Sequence, residues 1–493
     1  MRRPKVMKHI KRRAFLGVGL GTTATVLLSQ CSKRQTLSSD LGLRSVILSK
    51  EGLLSVDLEA NYGRLFLGDR QANLLTFNGL IPGPRLEAKP GDRVQISLIN
   101  RLNQPTNLHY HGLHITPKGN GDNIFLSIPP GERFTYEFTL PTTHPAGTFW
   151  YHPHHHGHVA EQVFGGLAGL FIVRGELDEI PEIKAAKEVF LVLKDFDTNP
   201  AVLSPMAMML GREGPIVTVN GQVNQKLVIP QGGLLRLRLL NASSARFYRL
   251  KLEGHSFQLI ATDGGAIAAP IELQEILLAP GERAEVLVRG NRQPGQYRLL
   301  NLPYNRGGMM MMGGRMGMGR MGRGMDQTTL QTQKTQSLAI LNYEGTVGPL
   351  SLPLKLIPVE ALSAPNVTRR IEMSMAMGPG MTMAFLFNGQ TFNEKRIDIT
   401  PKLGTIEEWE LTNVGPGGIA HPFHLHTNSF QVVSRNGQPE PYRAWKDTVL
   451  VKGNETVRIR IPFRTFTGKT VYHCHILDHE DLGMMGTVNI QSA

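Results

Sequence analysis

The chain repeats one alternation of apolar and polar residues three times. GDRVQISLIN (91–100), GGLLRLRLLN (232–241) and GTIEEWELTN (404–413) each alternate along their length and end on asparagine. A period of two marks a strand with one face on a core, and the closing Asn points to a turn. Each unit opens on an Asn-Gly pair, in Phe77-Asn78-Gly79, Val219-Asn220-Gly221 and Phe387-Asn388-Gly389. Later come PPGERFTYEFTLP, APGERAEVLVRG and VKGNETVRIRIPF, one per unit, and GHSFQLI (254–260) matches TNSFQVV (427–433). Self-similarity on this scale means copies of one module. The expected fold is all-β, three consecutive Greek-key β-sandwich domains over 45–175, 185–345 and 358–493. Their boundaries fall in the Pro- or Gly-rich stretches 175–184 and 345–358.

Composition agrees with a turn-rich β protein, with 53 Gly and 31 Pro in 493 residues. The formal charge of +13 would suit a nucleic-acid partner, but its distribution does not. Residues 1–34 carry nine Lys/Arg and no acid, which leaves about +4 for the rest of the chain. No nucleic-acid partner is expected. The same leader places Arg12 and Arg13 before Phe15 and Leu16, then a weakly apolar run from Gly17 to Leu28 that is too short to span a membrane. It resembles a twin-arginine export signal, so the protein is expected to be exported, most simply to a periplasm. Cys31 follows Leu28-Ser29-Gln30, similar to a lipoprotein box except for Gln30. A membrane association is expected only if Cys31 is lipidated. With Cys474 as the one other cysteine, no disulfide is expected.

The chemistry is concentrated in histidines. The C-terminal run HCHxxxHxxxxM holds His473, Cys474, His475, His479 and Met484. A thiolate, imidazoles and a distant thioether are the ligands of a blue-copper site, which Cys474, His479 and Met484 can supply with one further histidine. His473 and His475 flank the cysteine and point to other faces of a strand, toward other metal. Three more histidine clusters accompany this run. His109 and His111 lie in HYHG, His152 and His154 in WYHPH, and His421, His424 and His426 in HPFHLH. The middle unit has GQYRLLNLPY and RFYRLKL at the matching positions, with no ligand. Metal therefore belongs to units one and three, and the middle unit reads as a spacer that lets them meet. His255 reads as structural. His114, His155 and His158 read as surface or packing residues, and His156 as a support for a ligand.

These four motifs, in this order, resemble those of the multicopper oxidases, the laccase-like family, over essentially the whole chain after the leader. The resemblance implies cupredoxin-like domains and four copper ions: one type 1, one type 2 and two type 3. It assigns the type 1 copper to His421, Cys474 and His479 with Met484 as weak axial ligand, Met485 facing the other side. His109 and His424 would hold type 2. His111, His152 and His475 would hold one type 3 ion, and His154, His426 and His473 the other. The implied reaction is one-electron oxidation of a reducing substrate coupled to reduction of dioxygen to water. Glu480 and Asp122 stand where the family has proton-carrying acids, although Asp122 in GNGDN also suits a turn.

Methionines tilt the choice of substrate. Of the 20 methionines, all but Met1 and Met7 lie in clusters or at the copper motif, and residues 309–325 contain only eight Met, six Gly and three Arg. Thioethers are soft and select Cu(I), and a Gly-rich loop (306–326) is no packed core. Met206, Met208 and Met209 form a second group. Met373, Met375, Met377, Met381 and Met383 form a third, which suits either copper or a buried strand face. Such insertions resemble those of bacterial cuprous oxidases within the family. The expected substrate is Cu(I), in copper tolerance; small aromatic reductants are the alternative, and a copper-free structural or cell-division role a third reading.

Overall fold

The computed structural model describes residues 45–198, 205–307, 334–377, 383–415 and 418–493. The leader with Cys31, the 309–325 loop and Met381 lie outside the described residues. Three pairs of sheets follow one another along the chain, each pair closing a sandwich. The first joins the five strands Val46–Leu48, Arg85–Ala88, Gly169–Val173, Gly147–His152 and His109–His111 to a four-stranded sheet that includes Leu53–Leu67 and Arg93–Asn100. Six- and five-stranded sheets make the second, and seven- and four-stranded sheets the third. Sheet neighbours are mostly non-consecutive in the chain, as Greek-key crossovers require. Each sandwich encloses one main apolar cluster, around Leu98 and Tyr136, Leu237 and Val286, and Trp409 and Ile459.

The expected repeats have physical counterparts. In each domain the alternating strand pairs in parallel with an earlier one: Leu53–Leu67 with Arg93–Asn100, Lys187–Phe196 with Leu234–Asn241, and Val367–Met377 with Thr405–Asn413. Asn78, Asn220 and Asn388 all take the left-handed conformation, with φ of 54°, 53° and 50°, and a glycine also at positive φ follows each. This is the backbone of a tight hairpin turn, which only Asn, Asp and Gly adopt at low cost. Their side chains also bond sideways, accepting from the backbone N–H of Glu59, Val192 and Glu372. The strand-closing Asn100, Asn241 and Asn413 are fully buried, each donating to two backbone carbonyls further along the chain.

One expectation is corrected. Leu234–Asn241 is not half-buried, because both faces are covered. Arg236 and Arg238 occupy its second face in a buried ion-pair network with Asp178, Glu188 and Glu285. Alternation reported the two faces correctly and could not report that the polar face packs on another domain. The methionine question is also decided in part: Met373 and Met375 are buried in the third core.

Candidate metal centre

Each end domain presents two histidine motifs on adjacent strands. His109 pairs across from His152 in the first, and His424 from His473 in the third. The domains bring these four strands together so that two histidine pairs stack. His109 lies on His426 with ring centroids 3.7 Å apart, and His111 on His424 at the same separation. Three groups of converging donors result: His109, His111 and His424; His111, His152 and His475; His154, His426 and His473, with the donor atoms of each group within 4.8 Å of one another.

The donor chemistry fits metal. Nδ1 of His109, His152, His424 and His473 is tied to Asp122, Pro153 O, Asp447 O and Cys474 O respectively. Their Nε2 atoms are thereby turned inward. His424 and His109 Nε2 are 3.4 Å apart, His154 and His473 Nε2 3.2 Å, and His426 and His473 Nε2 3.1 Å. Two nitrogens each about 2 Å from one tetrahedral ion stand about 3.3 Å apart, so these spacings suit a shared ion. Nε2 of His111 and His152 and both nitrogens of His475 are buried with no hydrogen-bond partner. Orphaned buried donors of this kind are costly without an ion to meet them. Burial also drives His109, His111, His154, His426 and His475 well below the ordinary imidazole range, leaving neutral rings that can ligate.

A second site lies one residue away. Cys474 Sγ is 3.5 Å from His421 Nδ1 and 3.7 Å from His479 Nδ1, and those two nitrogens are 3.3 Å apart. All three residues are fully buried. Burial pushes the Cys474 thiol up, so a thiolate here requires a cation beside it. Met484 is fully buried in the apolar cluster that contains Cys474, whereas Met485 packs in a different one with Ile124 and Val471. His479 Nε2 donates to the Met209 carbonyl at 3.0 Å, and Phe385 stacks on its ring at 3.9 Å.

The two acids flank the histidine cluster. Asp122 is within 3.0 Å of His109 Nδ1 through both oxygens, and burial raises its pKa to about 7 against the lowering effect of the Tyr110 N–H. Glu480 is fully buried, with Oε2 2.9 Å from His473 Nδ1 and Oε1 3.3 Å from His154 Nε2, neither contact directed as a hydrogen bond. His156 is exposed and lies against Phe392, within electrostatic reach of Glu480. His255 hydrogen-bonds Tyr343 Oη and Glu253 O inside the middle domain.

Family models for multicopper oxidases match residues 60–178, 189–313 and 364–493, most of the chain. The chain belongs to the multicopper oxidase family. It is 32% identical over 475 residues to the multicopper oxidase mco of Staphylococcus haemolyticus, covering 93% of this chain and 95% of that one. It is 29% identical to the cell division protein FtsP of Xenorhabdus nematophila over 87% of each chain. Among solved structures it resembles a multicopper oxidase from Campylobacter jejuni described as a metallo-oxidase, at 31% identity and a TM-score of 0.77, covering 91% of this chain and 95% of that one. A laccase-like CueO from Ochrobactrum sp. aligns at 27% identity and a TM-score of 0.75, over 91% and 99%. Membership in this family makes copper the metal for these donors and dioxygen with a reducing substrate the reactants.

Several residues of this multicopper oxidase site carry no sequence signal. Asp447 meets His111 and His424 Nδ1, each at 3.5 Å, and burial alone would raise its pKa. The Arg283 charge and hydrogen bonds instead hold it well below the carboxylate range. Trp150 stacks on His152 at 4.2 Å, and Asn107 Oδ1 accepts from the His154 N–H at 2.7 Å. A lone Asp in WKDTV or a lone Asn in TNLHYH has no motif to announce it.

Proposed function

We propose that the protein is an exported cuprous oxidase, taking electrons from Cu(I) and reducing dioxygen to water in copper tolerance. In this reading His421, Cys474, His479 and axial Met484 hold a type 1 copper, and His109 and His424 hold a type 2 copper. His111, His152 and His475 hold one type 3 ion and His154, His426 and His473 the other, four ions in all. When bound, copper at these positions supplies one-electron acceptance from substrate and stepwise delivery to oxygen. The chain's own part is covalent connection, proton supply and exclusion of water. Cys474 is bonded through one peptide each way to His473 and His475, so the two sites share a continuous backbone path. Asp122, beside His109, and the buried Glu480 carboxylate, beside His473 and His154, are the acids placed to pass protons to the cluster. Full burial of the eight histidines keeps bulk water from the reacting atoms.

The observation that carries the cuprous reading is the surround of His479. The helix Pro205–Leu210, which covers its Nε2, lies against the strand Met383–Phe387 and the helix Leu477–Asp481. Met209 and Met383 are half-buried there, packed on the third core beside the ligands. Soft thioethers at the edge where electrons enter suit Cu(I) better than a phenol. The sequence of 309–325, outside the described residues, holds eight more methionines. The metallo-oxidase of Campylobacter jejuni supports this reading, the laccase-like CueO with oxidase activity towards lignin model compounds supports the aromatic alternative, and the cell division protein FtsP supports a role in cell division. A complete ligand set favours an enzyme over the last.

Steady-state kinetics with Cu(I) and with a phenol, on the full chain and on a chain lacking 309–325, test it. Deletion should lower the efficiency of Cu(I) oxidation and preserve or improve phenol oxidation. Equal loss for both would indicate a structural loop, and no loss for Cu(I) would favour a laccase.

A further inference from the structure

The middle domain supplies no histidine to the cluster, and its sequence reads as a spacer. Its turn Ala279-Pro280-Gly281-Glu282-Arg283 nevertheless reaches the ligands. The same turn in the first domain, Pro129 to Arg133, ends in a surface arginine whose side chain is 54% exposed beside Asp57. Arg283 is fully buried. Its Nε donates to Thr148 O of the first domain at 3.0 Å, and its Nη1 to Asp447 Oδ1 of the third domain at 2.8 Å. Nη2 donates to Asp447 Oδ2 and to Asp263 O, and Nη1 also lies 3.2 Å from His111 Nδ1. One guanidinium therefore touches all three domains.

What it holds is the orientation of two rings. Asp447 O accepts from His424 Nδ1 at 2.8 Å, and Asp447 Oδ1 accepts from Thr448 Oγ1 at 2.8 Å. His111 comes from the first domain and His424 from the third, so no common strand fixes their stacking. The fork of Arg283 locks the carboxylate between them with two bonds and compensates its buried charge. The other stacked pair, His109 and His426, is backed by Asp122, which meets both rings and the Tyr110 N–H. Two glycines make room. A Cβ on Gly112 of HYHG would stand 2.4 Å from both Arg283 Nη2 and Asp447 Oδ2. A Cβ on Gly281, at φ +83°, would stand 2.8 Å from His475 Cδ2 and 2.9 Å from its Nε2.

We propose that the Gly281–Arg283 turn of the middle domain positions the eight-histidine cluster, with Arg283 setting His111 and His424 through Asp447 and Gly281 leaving the seat for His475. This rests on the reading of those histidines as copper ligands. Arg283 is a positioning residue, touching ligands and not substrate. The test uses the full chain loaded with Cu(II) by dialysis, as wild type, Arg283→Met, Arg283→Lys and Gly281→Ala. Copper per chain, the blue absorption of the Cys474 site and the cupric EPR signal of non-blue copper are measured, with thermal unfolding of each metal-free chain. Arg283→Met and Gly281→Ala should keep the blue absorption and lose affinity for non-blue copper by about 10–100-fold, the usual effect of removing a group that orients ligands. The non-blue EPR signal should weaken or shift, and Arg283→Lys should restore part of it.

Full copper content with an unchanged non-blue EPR signal in both Arg283→Met and Gly281→Ala overturns the proposal. So does parallel loss of blue and non-blue copper in variants whose metal-free chains unfold early, which would make the turn merely structural. Wild-type protein that takes up copper with no non-blue signal would overturn the ligand reading itself, and this proposal with it.

Discussion

Arg238 offers the sharpest test of what the buried ion-pair network contributes to stability. Its Nε, Nη1 and Nη2 reach Glu188, Glu285 and Asp178, each at 2.6 Å, with the guanidinium fully buried. Arg238→Met keeps the apolar stem and leaves three carboxylates to Arg174 and Arg236. The cost can be scaled from Glu188. Burial alone would raise its pKa, but hydrogen bonds from Arg174 and the charges of Arg238, Arg174 and Arg236 hold it at about 2, against an ordinary 4.5. That difference is worth about 3 kcal/mol, at about 1.4 kcal/mol per tenfold. Arg238 supplies one share of it and also compensates Glu285 and Asp178. A loss of about 3–4 kcal/mol follows at neutral pH, within the range of about 3–5 kcal/mol for breaking a buried pair.

The pH dependence has a definite sign. A carboxylate with a depressed folded pKa stabilises fully above about pH 4.5 and loses that contribution as pH falls through about 2. The gap between wild type and variant should therefore narrow on acidification. Urea unfolding of the metal-free chains, followed by fluorescence from pH 7 to 3, measures it without added salt screening the network. Adding Glu285→Gln to Arg238→Met should cost less than the two single changes summed. A loss below about 1 kcal/mol at pH 7, or a gap that does not narrow with acid, would refute the reasoning.

Cys474→Ser should abolish the blue absorption and substrate oxidation while the chain still folds, since three separate cores do not depend on one ligand; absorption and circular dichroism check this. On the proposed ligand assignment, Met484→Leu removes a weak axial donor and should raise the potential of the blue site, measured by redox titration, while Met485→Leu leaves it unchanged. Lys194 is fully buried, which lowers its pKa to about 8 from 10.5 despite Asp195. The native chain then releases this proton before the unfolded one, so stability should rise between about pH 8 and 10.5 by at most about 3 kcal/mol. Lys194→Met should remove that rise in urea unfolding followed across the same range.

Much of this protein is written locally. Asn78, Asn220 and Asn388 dictate left-handed turns whatever surrounds them, and period-two runs dictate which strand residues share a face. The four histidine motifs mark the candidate ligands because each holds a His-x-His pair on or at the end of a strand: 109 and 111, 152 and 154, 424 and 426, 473 and 475. Alternation is blind to what covers the second face, so Arg236 and Arg238 read as solvent residues until the domains pack. It likewise leaves Met373 and Met375 open between copper and core, and only burial in the third sandwich decides for core. Arg283, Asp447 and the carbonyl of Met209 belong to the site through contacts between residues 164 to 270 positions apart. No local preference encodes such a contact. It exists because three domains close on one another, and a buried charge or ring nitrogen must then find its partner across the interface.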